Sequence, residues 1–373
     1  MISLRVLLIH TYYPQFLAEF YRNDPDASSL PFEAQRRRLL DAGFAVADAY
    51  SHGLRGAGCV AEDLVLNADP LQQRWAVEHG LSPNGNLHDQ RRQVLFAQVQ
   101  EFQPDVLYVF EWCPAGDDFL ESVKMHVGLL VGQVASPLRP ERTYVAYDLM
   151  ISSWPPLVDY FRAQGLAAEA LRLAFDHRVL HNLSDRREHY DVTFVGGYAP
   201  SHTHRLAWLE KLCGALPVDV FGYGWDTVPV DSPVRRRLHG PVWGRDLYRT
   251  LRASQVTLNC HARIDVRGSV STRFANNMRL YEATGAGTCL VTETRENLAE
   301  LFRPGEEVVA FRDHEECIEQ VRSLLDSEPR RAAVAHAGQQ RTLRDHTYRT
   351  RMMELAELLG RYVRRARTLS RRC

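Results

Sequence analysis

Short apolar runs alternate along this chain with longer stretches whose apolar residues recur every three or four positions. In the first half the short runs are LRVLLI (4–9), AEDLVL (61–66), DVLYVF (105–110), GLLVGQV (128–134), YVAYDLMI (144–151) and EALRLAF (169–175). Their length and near-continuous apolar character fit strands of a parallel sheet, and the periodic stretches between them, such as FEAQRRRLLDAGFAVADAYSHGL and DQRRQVLFAQVQEF, fit the covering helices. A polar stretch, HNLSDRREHY (181–190), interrupts the pattern. It restarts with DVTFVGG, a helix through RLAWLEKLCGAL, VDVFG, a helix through DLYRTLRAS, QVTLNCH, NNMRLYEATGAGTCLVTE, EEVVAF and a helical C-terminus. The predicted class is α/β: two doubly wound, Rossmann-like domains over 1–185 and 186–345, and a helical segment over 346–373.

The length of 373 residues agrees with this division, because one hydrophobic core rarely supports more than roughly 250 to 300 residues. Net charge is -1 and the sequence pI is near 7.0, so no overall field draws the chain to nucleic acid, and any basic site must be local. Lysine occurs only at Lys124 and Lys211, so phosphate recognition, if present, falls to arginine or to helix N-termini. The terminal RYVRRARTLSRRC could touch an anionic membrane surface or be a solvated helix end. The 7 cysteines are scattered singly without a CxxC, which argues against a disulfide framework or a zinc site. With no secretory or membrane-spanning apolar run, a cytoplasmic location is expected.

A nicotinamide or flavin dehydrogenase would need Gly-x-Gly-x-x-Gly directly after a strand. LLIHTYYPQF has no glycine there, DVTFVGGYAPSH has only an adjacent pair, and GxxxxGK[ST] is missing. An NAD(P)-dependent oxidoreductase is therefore the weaker alternative.

The ordered set VTFVGGY with Arg205, VFGYGW, YRTLRASQVTLNCH, NNMRLYEATGAGTCLVTE, LAELFRPGEEVVAF and DHTYRTRM resembles the spore-maturation CgeB-like glycosyltransferases, a branch of the GT-B superfamily. HTYYPQFLAEFY, QQRWAVEHG, DLMISSWPPLVDYF and LRLAFDHRVL in the first half are similar to the N-terminal domain of some members. The resemblance implies two domains facing across a cleft, with the C-terminal helices crossing back to the first domain. It implies transfer of a sugar from a nucleotide diphosphate donor to an acceptor hydroxyl, with no cofactor and no metal. The acceptor is open among a glycan, a lipid-linked glycan, a protein and a small molecule. A catalytically inactive relative that binds nucleotide-sugar as a scaffold subunit is the alternative.

Departure of a nucleoside diphosphate calls for positive charge where the leaving oxygen becomes anionic. Arg279, on the first turn of the helix in NNMRLYEATGAG, can donate to the diphosphate, and Glu282 can accept from ribose hydroxyls, the role that the resemblance gives its counterpart. The alternative is an ion pair between them at i,i+3 on the surface. Gly196 and Gly197 could let backbone amides approach a phosphate or could form a tight turn. Arg205 is a second diphosphate candidate. Arg263, Arg267 and Arg273 lie in a polar loop where a lid over the donor would sit, and Asn276 and Asn277 are N-cap candidates, with donor contact as a second role. Some retaining relatives carry another glutamate eight positions before Glu282; here Phe274 stands there, which leaves the stereochemistry open. His202 and His204, at i,i+2, face different sides of a helix, so no metal is expected.

For an inverting transfer the base should come from the first half. His10 follows the first strand, and Glu111 follows DVLYVF at the same sheet edge, where it could orient or replace His10. Tyr12, Tyr13 and Phe16 could stack on a sugar or pack on the first helix, and Asp24-Pro25-Asp26 is expected to be a solvated turn.

Overall fold

The computed structural model describes residues 3–110, 116–183, 188–198, 203–262, 264–266, 269–271 and 273–370. The chain forms two units, Met1–Arg172 together with Arg349–Cys373, and Leu173–Tyr348.

The first unit contains the strands β1 (Arg5–His10), β2 (Val60–Val65), β3 (Val106–Phe110), β4 (Leu129–Gln133), β5 (Leu149–Ser152) and β6 (Ala168–Ala170). All pair in parallel, in the order β2-β1-β3-β4-β5-β6. The helices are α1 (Pro14–Asn23), α2 (Phe32–Asp41), α3 (Ala49–Gly56), α4 (Asp69–Glu78), α5 (Leu87–Phe102), α6 (Asp117–Lys124) and α7 (Pro155–Ala163). Strand β1 is buried from Val6 to His10, as its continuous apolar run requires for a strand with neighbours on both sides. The chain leaves β1 toward β2 on one side and returns to β3 on the other. The sheet therefore switches direction between β1 and β3, the point at whose carboxyl ends open α/β sheets bind ligands.

Three stretches depart from the periodicity. Of 144–151 only Leu149–Ser152 adds to the sheet, because Tyr144 takes a positive φ of 64° and a turn closes from Tyr147 N–H to Tyr144 O. Of 169–175 only the first two residues join the sheet, within Ala168–Ala170, and Phe175 makes a separate bridge to Thr347. The long helical pattern from Phe32 breaks into α2 and α3, with Gly43, Ala45 and Ala47 at positive φ between them.

The second unit contains β7 (Tyr190–Val195), β8 (Val218–Phe221), β9 (Leu238–His239), β10 (Ser254–Asn259), the hairpin strands β11 (Ile264–Val266) and β12 (Ser269–Ser271), β13 (Cys289–Glu293) and β14 (Val309–Phe311). The main sheet runs β14-β13-β10-β7-β8-β9, again parallel, and switches direction between β7 and β10. Its helices are α8 (Thr203–Ala215), α9 (Gly244–Arg252), α10 (Arg279–Gly285), α11 (Leu298–Leu301), α12 (His314–Leu325) and α13 (Glu328–Asp345). Leu209 and Leu212 of α8 and Val321 and Leu324 of α12 pack on Val192, Val220 and Val256. Leu251 of α9 and Leu280 of α10 pack with Val195 and Leu290 in a second core cluster.

Helix α10 ends in a Schellman arrangement. Gly287, at φ 82°, donates to Thr284 O at 2.9 Å, and Thr288 donates to Ala283 O at 3.0 Å. After α13 comes α14 (Tyr348–Ser370), which belongs to the first unit from Arg349 onward. There Arg367 Nη2 meets Asp105 Oδ1 at 2.6 Å and Tyr362 OH donates to Glu169 Oε1 at 3.0 Å. Among the described residues no helix is long and apolar enough to cross a membrane.

Candidate active site

The carboxyl ends of β7 and β10 flank the switch point of the second sheet, and α10 begins beside them. Met278 is the N-cap of this helix, and Asn277 just before it accepts at Oδ1 from Arg279 N–H at 2.6 Å. Arg279 reaches back to the sheet: its Nε donates to Val195 O at 3.2 Å, and its Nη1 lies 2.7 Å from Glu282 Oε2. Both side chains of this ion pair are largely buried, at 13% and 9% exposure. The i,i+3 pair that the spacing offered as an alternative does form, but inside the protein and tied to the end of β7.

Gly196 and Gly197 follow β7. The amide of Gly196 is committed to the sheet edge, donating to Phe221 O at 2.8 Å, while its carbonyl accepts from Trp225 Nε1 at 2.9 Å. That amide does not point at a ligand, contrary to the expectation from sequence. A Cβ on Gly197 would lie 2.5 Å from the Tyr223 ring, so the close approach that requires this glycine is to a side chain of the protein itself. Arg205, 6% exposed, donates from Nη1 to Gly197 O at 2.7 Å and from Nη2 to Cys260 O at 3.3 Å. It clamps together the chain ends that leave β7 and β10, and burial lowers its pKa. Its Nε has no partner among the described residues.

Sequence inspection missed the groups facing this clamp. The backbone N–H of His261, two residues past β10, donates to Glu293 Oε2 at 2.7 Å, and Arg295 Nη2 meets the same oxygen at 2.9 Å. His261 Nε2 lies 3.4 Å from Asn259 Nδ2 and 3.3 Å from Thr292 Oγ1, whereas its Nδ1 has no partner among the described residues. The amide nitrogen only donates, which makes Nε2 the acceptor and leaves the proton on Nδ1. Burial, with Arg295 and Arg205 nearby, brings the His261 pKa down to about 3, so the ring is neutral at neutral pH. Arg205 Nε, His261 Nδ1 and Arg295 Nε are thus three buried N–H donors without acceptors among the described residues, at the carboxyl edge of one sheet. The sequence signal was a histidine and an arginine immediately after apolar strands, at QVTLNCH and LVTETR.

Arg273 lies apart from this cluster in contact terms: it is exposed, forms a two-point pair with Glu296 at 2.8 Å, and sits 5.4 Å over the Phe274 ring. Part of the loop expected to be irregular is the β11–β12 hairpin. Arg263, Arg267 and His202 lie outside the described residues, as does Glu111.

In the first unit His10 ends β1 beside the switch point. It is 3% exposed, its Nε2 lies 2.8 Å from Asp63 Oδ1, and its ring stacks on Phe110 at 4.6 Å. Asp63 accepts from Nε2–H, which leaves Nδ1 on the other edge of the ring. Asp63, also buried, was legible only as a charge inside the apolar run AEDLVL. Tyr12 packs on Phe16 and Phe44 at 5.7 and 4.9 Å, the packing alternative, and Asn67 ties its backbone down through bonds of 2.9 and 2.7 Å. The hydroxyls of Thr11 and Tyr12 are buried without partners among the described residues. Burial and the neighbouring Asp63 hold the Tyr12 hydroxyl well above the ordinary phenol range.

Residues 204–357 match the model of a family described as "Glycosyl transferase-like". Residues 204–357 are thus glycosyl transferase-like, and the chain as a whole shares the fold of the solved glycosyltransferases that follow. No curated protein matches it in sequence. Among solved structures, the chain is similar to Anabaena Alr3699/HepE in complex with UDP-glucose, at 12% identity and a TM-score of 0.59, over 96% of this chain and 100% of that one. AviGT4, a glycosyltransferase involved in avilamycin A biosynthesis, matches at 15% identity and a TM-score of 0.58, over 97% and 98% of the two chains. Sucrose-phosphate synthase from Thermosynechococcus elongatus matches at 14% identity and 0.55, over 95% and 98%. Among the described residues no group of three or more His, Cys, Asp or Glu could hold a metal ion.

Proposed function

We propose that this chain is a glycosyltransferase that moves a sugar from a nucleotide diphosphate donor to an acceptor hydroxyl without a metal ion, as its resemblance to the CgeB-like proteins implies. The observation that carries this reading is the donor-rich edge of the second sheet. Arg279, anchored on Val195, and the unpaired N–H groups of Arg205, His261 and Arg295 stand at its switch point, where open α/β sheets bind ligands. Cationic and neutral donors placed there stabilise the charge that builds on the departing diphosphate, which is the electrostatic task a metal ion performs elsewhere. Glu282 accepts from the ribose when the donor's phosphates draw Arg279 away from it. The complex of HepE with UDP-glucose supports the choice of a nucleotide-sugar as donor.

In an inverting transfer, His10 Nδ1 takes the acceptor hydroxyl's proton as that oxygen bonds to the anomeric carbon and the bond to the diphosphate breaks. Asp63, on Nε2, stabilises the imidazolium that results. The test is calorimetry with UDP, GDP and dTDP, followed by donor hydrolysis with the matching nucleotide-sugars. One nucleotide should bind tightly, and Arg279→Ala and Glu282→Ala should both weaken it. Binding to none of the three would overturn the proposal, and binding without hydrolysis or transfer would place the chain among inactive relatives.

A further inference from the structure

Two arginines at the carboxyl edge of the second sheet already hold a carboxylate of the chain itself. Arg279 holds Glu282 on α10, and Arg295, two residues past β13, holds Glu293 at the end of that strand, Nη2 to Oε2 at 2.9 Å. Glu293 has no role in the chemistry proposed above. It is nevertheless placed to compete for that chemistry's ligand, because a carboxylate and a phosphate are anionic acceptors for the same forked guanidinium donor.

The pair is built so that it can open at low cost. Glu293 Oε2 also accepts from the His261 N–H at 2.7 Å, and Arg295 Nη1 also donates to Thr294 O at 3.0 Å. Separating Arg295 from Glu293 therefore leaves neither charge without a hydrogen bond, and an orphaned charge is what makes breaking a buried pair expensive. Both side chains also keep contact with solvent, at 19% exposure for Arg295 and 18% for Glu293. The balance of charge gives the exchange its direction. Arg205, Arg279 and Arg295 stand at this edge with Glu282 and Glu293, and the charge of Glu293 also reaches Arg205, where it opposes the effect of burial. A diphosphate carries more negative charge than one carboxylate, so it takes Arg295 when it is present, and Glu293 takes it back when it leaves.

We propose that Glu293 is a competitor, built into the chain, for the diphosphate of donor and product. In the free protein it neutralises Arg295. On binding, a phosphate oxygen replaces it at Nη2 while Glu293 stays on the His261 N–H, and on release of the nucleoside diphosphate the pair closes again. The closed pair lowers the apparent affinity by the fraction of the free protein that it occupies, which keeps the product from being held. This inference rests on the donor reading above, whose diphosphate it assigns to Arg295.

The test is calorimetry of the full chain with inorganic pyrophosphate and with UDP, GDP and dTDP, in the natural protein, Glu293→Gln, Arg295→Gln and the double variant. Glu293→Gln keeps an oxygen to accept from His261 and removes only the competing charge. It should bind pyrophosphate and the matching nucleoside diphosphate about tenfold more tightly, and Arg295→Gln about tenfold more weakly, the worth of one charge-assisted hydrogen bond. A gain in affinity cannot come from loss of fold. The double variant should bind as Arg295→Gln does, because the competition runs through Arg295. A gain from Glu293→Gln that persists without Arg295 is a long-range effect of charge and overturns the exchange. Nucleotide binding that Glu293→Gln leaves unaltered or weakens overturns the exchange and leaves the donor reading standing. Pyrophosphate binding that Glu293→Gln tightens, with no nucleotide bound by any of the four proteins, overturns the donor reading and keeps Glu293 as a competitor for another anion. Absence of all binding overturns both.

Discussion

Arg279 Nη1 lies 2.7 Å from Glu282 Oε2 on the first turn of a seven-residue helix, and the same guanidinium donates to the carbonyl of Val195 on the strand that ends beside it. The pair therefore holds α10 to the sheet as well as placing two charges at the switch point. A surface i,i+3 pair contributes only about 0.2–0.5 kcal/mol, whereas removing one partner of a buried pair costs roughly 3–5 kcal/mol.

Because the pair is largely but not wholly buried, Arg279→Ala should lower the unfolding free energy by about 3 kcal/mol in urea titrations. Replacing both partners with methionine should recover most of that stability, since no lone charge remains. It should not recover nucleotide binding measured by calorimetry. Full recovery of both would assign the pair a structural role alone.

The His10–Asp63 contact predicts a rate effect without a binding effect. Asp63→Asn keeps the shape but removes the charge that stabilises the imidazolium, so kcat should fall by about 10²–10⁴ with nucleotide affinity unchanged. Steady-state transfer assays beside nucleotide titrations separate the two.

His261 makes stability depend on acid. The unfolded imidazole takes up a proton near pH 6.5, whereas the folded one does so only near pH 3. Its contribution is therefore complete above pH 6.5 and is lost as pH falls through that window, by about 2 kcal/mol at pH 5. Urea titrations at pH 7 and pH 5 should show this loss in the natural protein and a smaller one in His261→Gln.

Gly285→Ala sets two effects against each other. Alanine in place of glycine usually favours a helix by about 1 kcal/mol. Here the new Cβ would lie 2.5 Å from carbons of the Phe175 ring, and overpacking of this kind costs about 1–3 kcal/mol. The variant should unfold at a lower temperature than the natural protein, as scanning calorimetry would show.

The central strands of both sheets were readable because burial on both faces demands unbroken apolar runs, as in RVLLIH and VTFV. The break at Tyr144 and the split between α2 and α3 were not, because the residues at positive φ there include alanine and tyrosine, which give no turn signal. At the site, Arg279 and Glu282 stood out by their spacing, and Asn277 as an acceptor for the helix start by its residue type. Asp63 and His261 did not, because a polar residue within or just after a strand becomes meaningful only when its partner is known.

By itself the sequence determined two parallel α/β sheets, the end of α10 at Gly287 and the position of His10 after the first strand, all consequences of local periodicity and backbone sterics. Only the tertiary structure decided which way each sheet switches, and so that His10 would meet Asp63 and that Gly196 would spend its amide on Phe221. Those outcomes rest on hydrogen bonds between residues 53 and 25 positions apart, which pairing between distant strands creates and no local pattern encodes.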